Sequence, residues 1–129
     1  MRTLKIAPTV ALLVVLTTVV GFSQAQQPTQ MIGVELSQPD RTLFGRATWA
    51  AERAKYAEAR SLLQTLIESY PDSELVPNAK LAVANAWYNE GNFQQAEAEY
   101  KDFVAFFPSS PDVTQARQKI AAIQANSKM

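Results

Sequence analysis

The sequence predicts an all-α fold, a solenoid of helical hairpins with two repeats and a terminal helix. The first observation is internal repetition: a shift of 37 residues superimposes one half of the chain on the other. The aligned pairs are Tyr56 with Phe93, Ala59 with Ala96, Leu63 with Tyr100, Leu66 with Phe103, and Pro71 with Pro108. The second is that apolar residues recur three or four apart, the spacing of one helical face. The third is that no segment alternates with period two for long enough to predict a strand.

Turn and stop residues divide the repeats into five predicted helices. Asn89-Glu90-Gly91-Asn92 predicts a tight turn, because Gly tolerates backbone angles that other residues avoid. Pro108 and the serines after it end the helix that follows the turn. The predicted helices are 40–53, 55–70, 74–90, 93–107 and 111–126.

Polar residues before several of these helices predict N-terminal caps. Asp40 is placed to cap free amides and to oppose the helix dipole. Ser73 and Ser110 occupy equivalent positions before the third and fifth helices. Pro77 falls in the first turn of the third helix, where a missing amide hydrogen costs little.

Small and large residues in the repeats predict the packing. Ala59 and Ala96 are expected where helices cross closely, whereas the aromatic residues are expected to fill the space between helices. Most of these aromatic residues are expected in the core; they are Tyr56, Tyr70, Phe93, Tyr100, Phe103, Phe106 and Phe107. Because Phe106 and Phe107 are adjacent, they are not expected to face the same way, and one of them is expected to cover the next helix. The fifth helix has an apolar side, formed by Val113, Ala116, Ile120 and Ile123, and an otherwise polar surface. It is either a terminal cap or the start of a truncated third repeat, and we favour truncation.

The chain begins with a predicted signal peptide, residues 1–25. Arg2 and Lys5 precede an apolar stretch, and Ser23 and Ala25 place small residues at the positions that a signal peptidase reads. A retained membrane anchor is the alternative, although the stretch is short for a membrane span. Residues 26–38 then form a flexible leader, whose apolar side chains could instead dock on the first helix or on a partner. The repeat domain is 39–127, with repeats at about 40–73 and 74–110 and the end helix at 111–126.

Composition argues against several classes of function. After removal of residues 1–25 the net charge is −2, and no run of like charge exceeds two residues, so we expect no nucleic-acid binding. The chain contains no His and no Cys, so the usual general base, thiol nucleophile and soft metal ligands are absent. We therefore expect no catalytic residues, no metal site, no cofactor and no small-molecule substrate. Without cysteine there is also no thiol to carry a lipid.

The hairpin is similar to the tetratricopeptide repeat, in which alanines mark the helix crossings, an aromatic follows the turn and a proline closes the unit. Within it, residues 62–111 resemble the BamD family of outer-membrane assembly factors, in which a helix ends in Tyr-Pro or Phe-Pro before a Ser and an Ala-rich helix. The resemblance covers roughly 38–127. This chain differs from that family in lacking a lipobox cysteine and in having fewer repeats.

The resemblance implies a non-enzymatic, exported periplasmic protein, peripheral to the outer membrane. Such a protein would act as a scaffold for the assembly and insertion of outer-membrane β-barrel proteins through protein–protein contacts. Its expected partners are the barrel-assembly machinery or unfolded barrel substrates, with membrane association only through those partners. The alternative is a generic periplasmic repeat adaptor of the Tol–Pal or cell-envelope coordination type.

Helix-pair arrays bind partners along the concave wall formed by the first helix of each pair. In the tetratricopeptide register that wall carries Arg41, Phe44, Thr48, Asn78, Leu81, Asn85, Tyr88 and Asn89. Amides and aromatic edges suit an extended peptide, because amides pair with its main chain and rings contact its side chains. An ordinary solvated surface is the alternative interpretation of the same residues.

Overall fold

The computed structural model describes residues 38–129, and within them the prediction of an all-α repeat fold is confirmed. The helices are α1 (Pro39–Glu52), α2 (Tyr56–Ser69), α3 (Val76–Glu90), α4 (Phe93–Phe106) and α5 (Val113–Ser127). Each helix packs against its neighbour in sequence, as expected of stacked hairpins. The predicted signal peptide and all but the last residue of the predicted leader lie outside the described residues.

The third and fifth helices begin two residues later than predicted, because the serines before them build a turn first. The Ser73 Oγ accepts a 3.1 Å hydrogen bond from the amide of Leu75, and the Ser110 Oγ accepts one of 3.3 Å from Asp112. These hydroxyls therefore satisfy amides ahead of the helix, and neither α3 nor α5 has a side-chain N-cap. Pro77 lies in the first turn of α3 as predicted.

Asp40 lies in the first turn of α1, as the dipole argument requires, but its carboxylate serves mainly a tertiary contact. Asp40 Oδ2 accepts a 2.6 Å hydrogen bond from the Ser73 hydroxyl in the connection between α2 and α3. That hydrogen bond is the main reason why the pKa of Asp40 lies below its usual value. The pair ties the start of the first repeat to the start of the second.

The turns within the two hairpins have the same geometry but different residues. Gly91 ends α3 in the left-handed region at φ 89°, where its amide bonds the carbonyls of Trp87 and Tyr88. Its repeat equivalent is Ala54, which also has a positive φ, 57°. An alanine in this region carries a steric cost that glycine avoids. The turn of the first hairpin is thus the more strained of the two.

Two hydrophobic clusters form the core of the described residues. The first joins α1, α2 and α3 and includes Leu63 and Leu66. The second joins α3, α4 and α5 and includes Tyr100 and Phe103. Ala59 and Ala96 are both completely buried, which confirms that small residues occupy the predicted crossing points.

The aromatic residues divide more sharply between core and surface than the sequence predicts. Tyr100 and Phe103 are fully buried, and Phe107 packs against the second cluster. Phe93 is 47% exposed, so the prediction of a core position is only partly met there. Phe106 is 72% exposed while Phe107 packs against the core, which confirms that the two adjacent rings face different ways. Phe106 and Phe107 are adjacent on a helix end, so one ring faces the core while the other faces away.

The last helix contributes only one side to the core. Val113, Ala116 and Ile123 are buried and Ile120 packs against them, which confirms the predicted apolar side of α5. Ala121 on α5 is the repeat equivalent of Ala84 on α3. Ala84 is buried, whereas Ala121 is exposed. Within residues 38–129, no helix combines the length and apolar character needed to cross a membrane.

Candidate partner-binding surface

Three of the predicted wall residues line one shallow cavity between the two repeats. Thr48 projects from α1, and Asn85 and Asn89 project from α3, around a space of about 180 Å³. Most of the remaining lining is alanine, contributed by α1, α2 and α3. Small side chains keep the helices close and leave the polar groups at the edge of the cavity. We call this space the amide cavity.

Asn85 is held in place by a buried tyrosine. The Tyr100 hydroxyl on α4 donates a 2.6 Å hydrogen bond to Asn85 Oδ1. Burial, with a smaller contribution from neighbouring Tyr88, raises the pKa of Tyr100 to about 12. This bond uses one of the two lone pairs of the Asn85 oxygen, and the Asn85 amide nitrogen adds two hydrogen-bond donors.

Tyr88 lies on the other side of α3 and lines a separate cavity. This space measures about 440 Å³ and extends from Tyr88 and Phe93 to Ile123 and Asn126 on α5. We call it the aromatic cavity. The Tyr88 ring meets the Phe93 ring edge-on at 5.2 Å, and the Lys119 ammonium lies 3.9 Å from the Tyr88 ring centroid. This contact distance is that of a cation–π interaction.

The other predicted wall residues do not join these cavities. Leu81 is only 8% exposed within the second core cluster, and Phe44 packs against the first. Asn78 lines a third space, of about 420 Å³, beside the connection from α4 to α5. Arg41 is exposed on α1. The structure therefore brings together Thr48, Asn85 and Asn89, places Tyr88 across α3 from them, and leaves the remaining four apart.

The two repeats differ in the contacts at one helix interface. Between α2 and α3, the Arg60 guanidinium lies 3.5 Å from the Trp87 ring centroid, and Arg60 Nη1 is 2.7 Å from Glu90 Oε2. The N–H bonds of that nitrogen do not align with the carboxylate, so the contact is a close charge pair rather than a hydrogen bond.

The equivalent positions between α4 and α5 are Glu97, Gln124 and Ser127. Gln124 Nε2 donates a 2.8 Å hydrogen bond to Glu97 Oε1, and Lys101 lies 2.7 Å from the same oxygen. The contact with Lys101 first and the hydrogen bond from Gln124 second lower the pKa of Glu97. Gln124 thus takes the place of Trp87 with a smaller side chain, and the equivalents of Arg60 and Glu90, which are Glu97 and Ser127, line the aromatic cavity.

Sequence reasoning missed the α5 side of this surface. Ile123, Asn126 and Lys119 were outside the predicted wall, because the repeat register was applied to two hairpins only. Applying the 37-residue repeat shift to Asn89 leads to Asn126, which lines the aromatic cavity. For Lys119 no sequence signal was available, because its contact with Tyr88 depends on how α5 packs.

The chemistry offered by these cavities is that of non-covalent recognition. The amide cavity supplies carboxamide and hydroxyl groups, which can pair with a peptide main chain. The aromatic cavity supplies two aromatic rings and an isoleucine, and the Lys119 ammonium lies over one of those rings. Within residues 38–129, no cluster of acidic side chains has the arrangement of a metal site.

Stacked helical hairpins with cavities on both sides of α3 define a tetratricopeptide-like repeat protein. More specifically, the chain belongs to the YfiO family, described as outer membrane lipoprotein, which it matches over residues 37–122, more than half of its length. Membership in this family indicates a role in the cell envelope. None of the 129 residues is a cysteine, so the chain has no thiol for the lipid that the family description implies. The comparison with curated proteins found no match.

Proposed function

We propose that this protein is a non-enzymatic periplasmic scaffold that assists the assembly of outer-membrane β-barrel proteins through protein contacts. Support comes from its membership in a family of outer membrane lipoproteins and from its resemblance to the BamD assembly factors. The working surface in this proposal is α3 with its two flanking cavities. The partner is a component of the barrel-assembly machinery or an unfolded barrel chain.

The observation that carries the proposal is the division of polar and aromatic groups across α3. Asn85 and Asn89 face the amide cavity, whereas Tyr88 faces the aromatic cavity. An extended chain crossing α3 would meet hydrogen-bonding groups first and an apolar recess next.

The alternative function, a generic envelope adaptor of the Tol–Pal type, would have different protein partners from a barrel-assembly scaffold. The discriminating experiment is affinity capture of the full-length protein from envelope extracts after chemical cross-linking. The proposal expects recovery of barrel-assembly proteins or of unfolded barrel chains. Recovery of peptidoglycan-linked proteins in their place would favour the adaptor role and contradict the proposal.

A double variant of the amide cavity tests whether the captured partner binds at that cavity. Thr48→Val with Asn89→Ala removes two exposed polar groups from the amide cavity and leaves the Asn85–Tyr100 hydrogen bond intact. We expect this variant to lose the partner while keeping its helical circular dichroism.

The matched control is Thr65→Val with Gln64→Ala on α2. The Thr65 hydroxyl bonds the carbonyl one turn earlier at 2.9 Å, as the Thr48 hydroxyl does at 3.0 Å. The control therefore removes the same kind of groups from outside the cavity and should capture normally. Equal capture by the two folded variants would contradict binding at the amide cavity.

A further inference from the structure

A tryptophan and three cations form an exposed patch on one side of α1 and in the turn after it. Arg46 and Trp49 are three residues apart on the helix, so they lie on one face. In the turn, the Arg53 guanidinium lies 3.7 Å and the Lys55 ammonium 5.7 Å from the Trp49 ring centroid. All four residues are exposed, and half of the Trp49 surface is open to solvent. We call these four residues the tryptophan patch.

The second repeat shows what the fold places on the same side of α3. The 37-residue shift aligns Arg46 with Val83 and Trp49 with Ala86, and both of these α3 residues are buried. Val83 belongs to the core cluster that joins α1, α2 and α3, because α2 packs against α3. Among the described residues no helix precedes α1, so the equivalent face of α1 is open.

The charge of the tryptophan patch is positive. Arg46 and Arg53 form no ion pair within the described part of the chain. Lys55 lies 3.6 Å from Glu58, with both side chains about half exposed, so this pair is only partly neutralised. Glu52 is also on α1, but it lies about 120° around the helix axis from Arg46. The patch therefore attracts an anionic partner.

The residue types of the patch are poorly suited to two simpler roles. Packing beneath a further helix would bury Arg46 and Arg53 without a carboxylate partner, which is costly. A polar end face keeps a repeat array in solution, but that role gives no reason for a half-exposed tryptophan. The combination of one ring with cations of a single sign thus points to a binding surface.

The shape of the patch favours a lipid surface as its partner. None of the three cavities described above includes a residue of the patch, so there is no recess for an inserted side chain. A bilayer needs no recess, because arginine and lysine meet its phosphates at the surface. Tryptophan combines an apolar ring with a polar N–H, which favours the boundary between headgroups and acyl chains.

We propose that the tryptophan patch docks the repeat domain on an anionic phospholipid surface. Arg46, Arg53 and Lys55 contact the lipid phosphates, and the Trp49 ring enters the headgroup region. Docking of this kind is reversible and orients the domain, because stable anchoring takes a second signal. The proposal goes beyond the scaffold role, and it differs from the expectation that membrane association depends on protein partners alone. The charge count along the sequence missed the patch because its cations are separated in the chain.

Quenching of tryptophan fluorescence by brominated lipids tests the docking. The full-length protein has two tryptophans, and the second, Trp87, packs beneath the Arg60 guanidinium. The vesicles contain equal parts of phosphatidylglycerol and phosphatidylcholine, or phosphatidylcholine alone, with bromine on the acyl chains near the headgroups. Trp49→Phe gives the signal of Trp87, and its subtraction isolates Trp49. All variants share residues 1–37, so binding through the predicted signal peptide is common to them.

We expect the vesicles with phosphatidylglycerol to quench Trp49 and those of phosphatidylcholine alone to leave it unchanged. Added salt should reverse the quenching, because it screens the attraction. Arg46→Gln with Arg53→Gln should raise the lipid concentration at half-maximal quenching about 25-fold, which is about fivefold for each cation. The matched control, Arg117→Gln with Lys128→Gln, removes the same charge from exposed positions on α5 and just after it, and should bind normally.

Three results would overturn the inference, provided that the variants keep their helical circular dichroism. Equal quenching in the two double variants would show that net charge attracts the lipid without the patch. Equal quenching by vesicles with and without phosphatidylglycerol, or none by either, would exclude an anionic surface. A change in Trp49 emission with a glutamate-rich peptide, but not with vesicles, would identify an acidic protein as the partner. The capture test of the proposed function depends on Thr48 and Asn89, which lie outside the patch, so the two tests fail independently.

Discussion

The hydroxyl of Tyr100 on α4 donates a 2.6 Å hydrogen bond to the side-chain oxygen of Asn85 on α3. This contact joins the core to the proposed binding surface, because Tyr100 is completely buried whereas Asn85 lines the amide cavity. Asn85 is therefore both a recognition group and a partner that a buried hydroxyl needs. A substitution there affects folding as well as binding.

This dual role predicts that two single substitutions lower the free energy of unfolding by different amounts. Asn85→Ala leaves the buried Tyr100 hydroxyl without its partner, which costs about 1–3 kcal/mol. Tyr100→Phe removes the donor and leaves Asn85 at the cavity edge, which costs about 1 kcal/mol. The two together should cost less than the sum of the singles. Urea unfolding followed by circular dichroism measures all three, and a smaller loss for Asn85→Ala than for Tyr100→Phe would contradict the role of this bond.

The same tyrosine predicts a loss of stability at alkaline pH. Burial raises the pKa of Tyr100 from 10.0 to about 12 in the folded protein, so folding disfavours the tyrosinate. The resulting stabilisation is fully present below the unfolded pKa near 10.0 and is lost as pH rises towards 12. The urea midpoint of the wild type should fall across this window, and the fall should be smaller for Tyr100→Phe. Identical pH profiles for the two proteins would show that Tyr100 is not the titrating group.

Two glycines should respond to alanine in opposite directions. Gly45 lies inside α1 with open space around it, so Gly45→Ala should stabilise the fold by up to about 1 kcal/mol through helix propensity. Gly91 also has open space but sits at φ 89°, so Gly91→Ala should destabilise by about 1 kcal/mol through backbone strain. Thermal melts compare the pair directly. A shift of both melting temperatures in the same direction would contradict the turn geometry.

The first hairpin offers the reciprocal substitution. Ala54→Gly relieves the strain of φ 57°, although the extra freedom of glycine in the unfolded chain offsets part of the gain. The expected result is a small rise in the melting temperature. The matched change Ala57→Gly, on the exposed surface of α2, should lower it. A fall for Ala54→Gly as large as for Ala57→Gly would mean that Ala54 is not strained.

The helix crossings predict a steric effect at Ala96. Ala96 is completely buried between helices, so Ala96→Leu should overpack the crossing and cost about 1–3 kcal/mol. Ala98 is exposed on the same helix, so Ala98→Leu should change stability little. Chemical denaturation of both variants gives the comparison. Similar losses at the two positions would show that α4 has a different register.

The helices, their order and most of the core followed from local pattern. Periodicity of three and four residues, Gly91 and Pro108 are features of neighbouring residues, and these set where helices can form and end. The helix starts were less accurate, because Ser73 and Ser110 use their hydroxyls in a turn ahead of the helix. A serine before a helix is compatible with both geometries, so the sequence did not distinguish them.

The composition of the binding surface depended on contacts between distant residues. The register placed Leu81 and Asn85 on one wall, but Leu81 is buried in the core while Asn85 faces a cavity. Lys119 meets Tyr88 only because α5 packs across from α3, and Glu97 meets Gln124 because α5 packs against α4. The sequence by itself determined the helical hairpins and their repetition, since these arise from spacing along the chain. Only the tertiary structure decided which side chains line each cavity, because that depends on the size of the groups that meet across each helix interface.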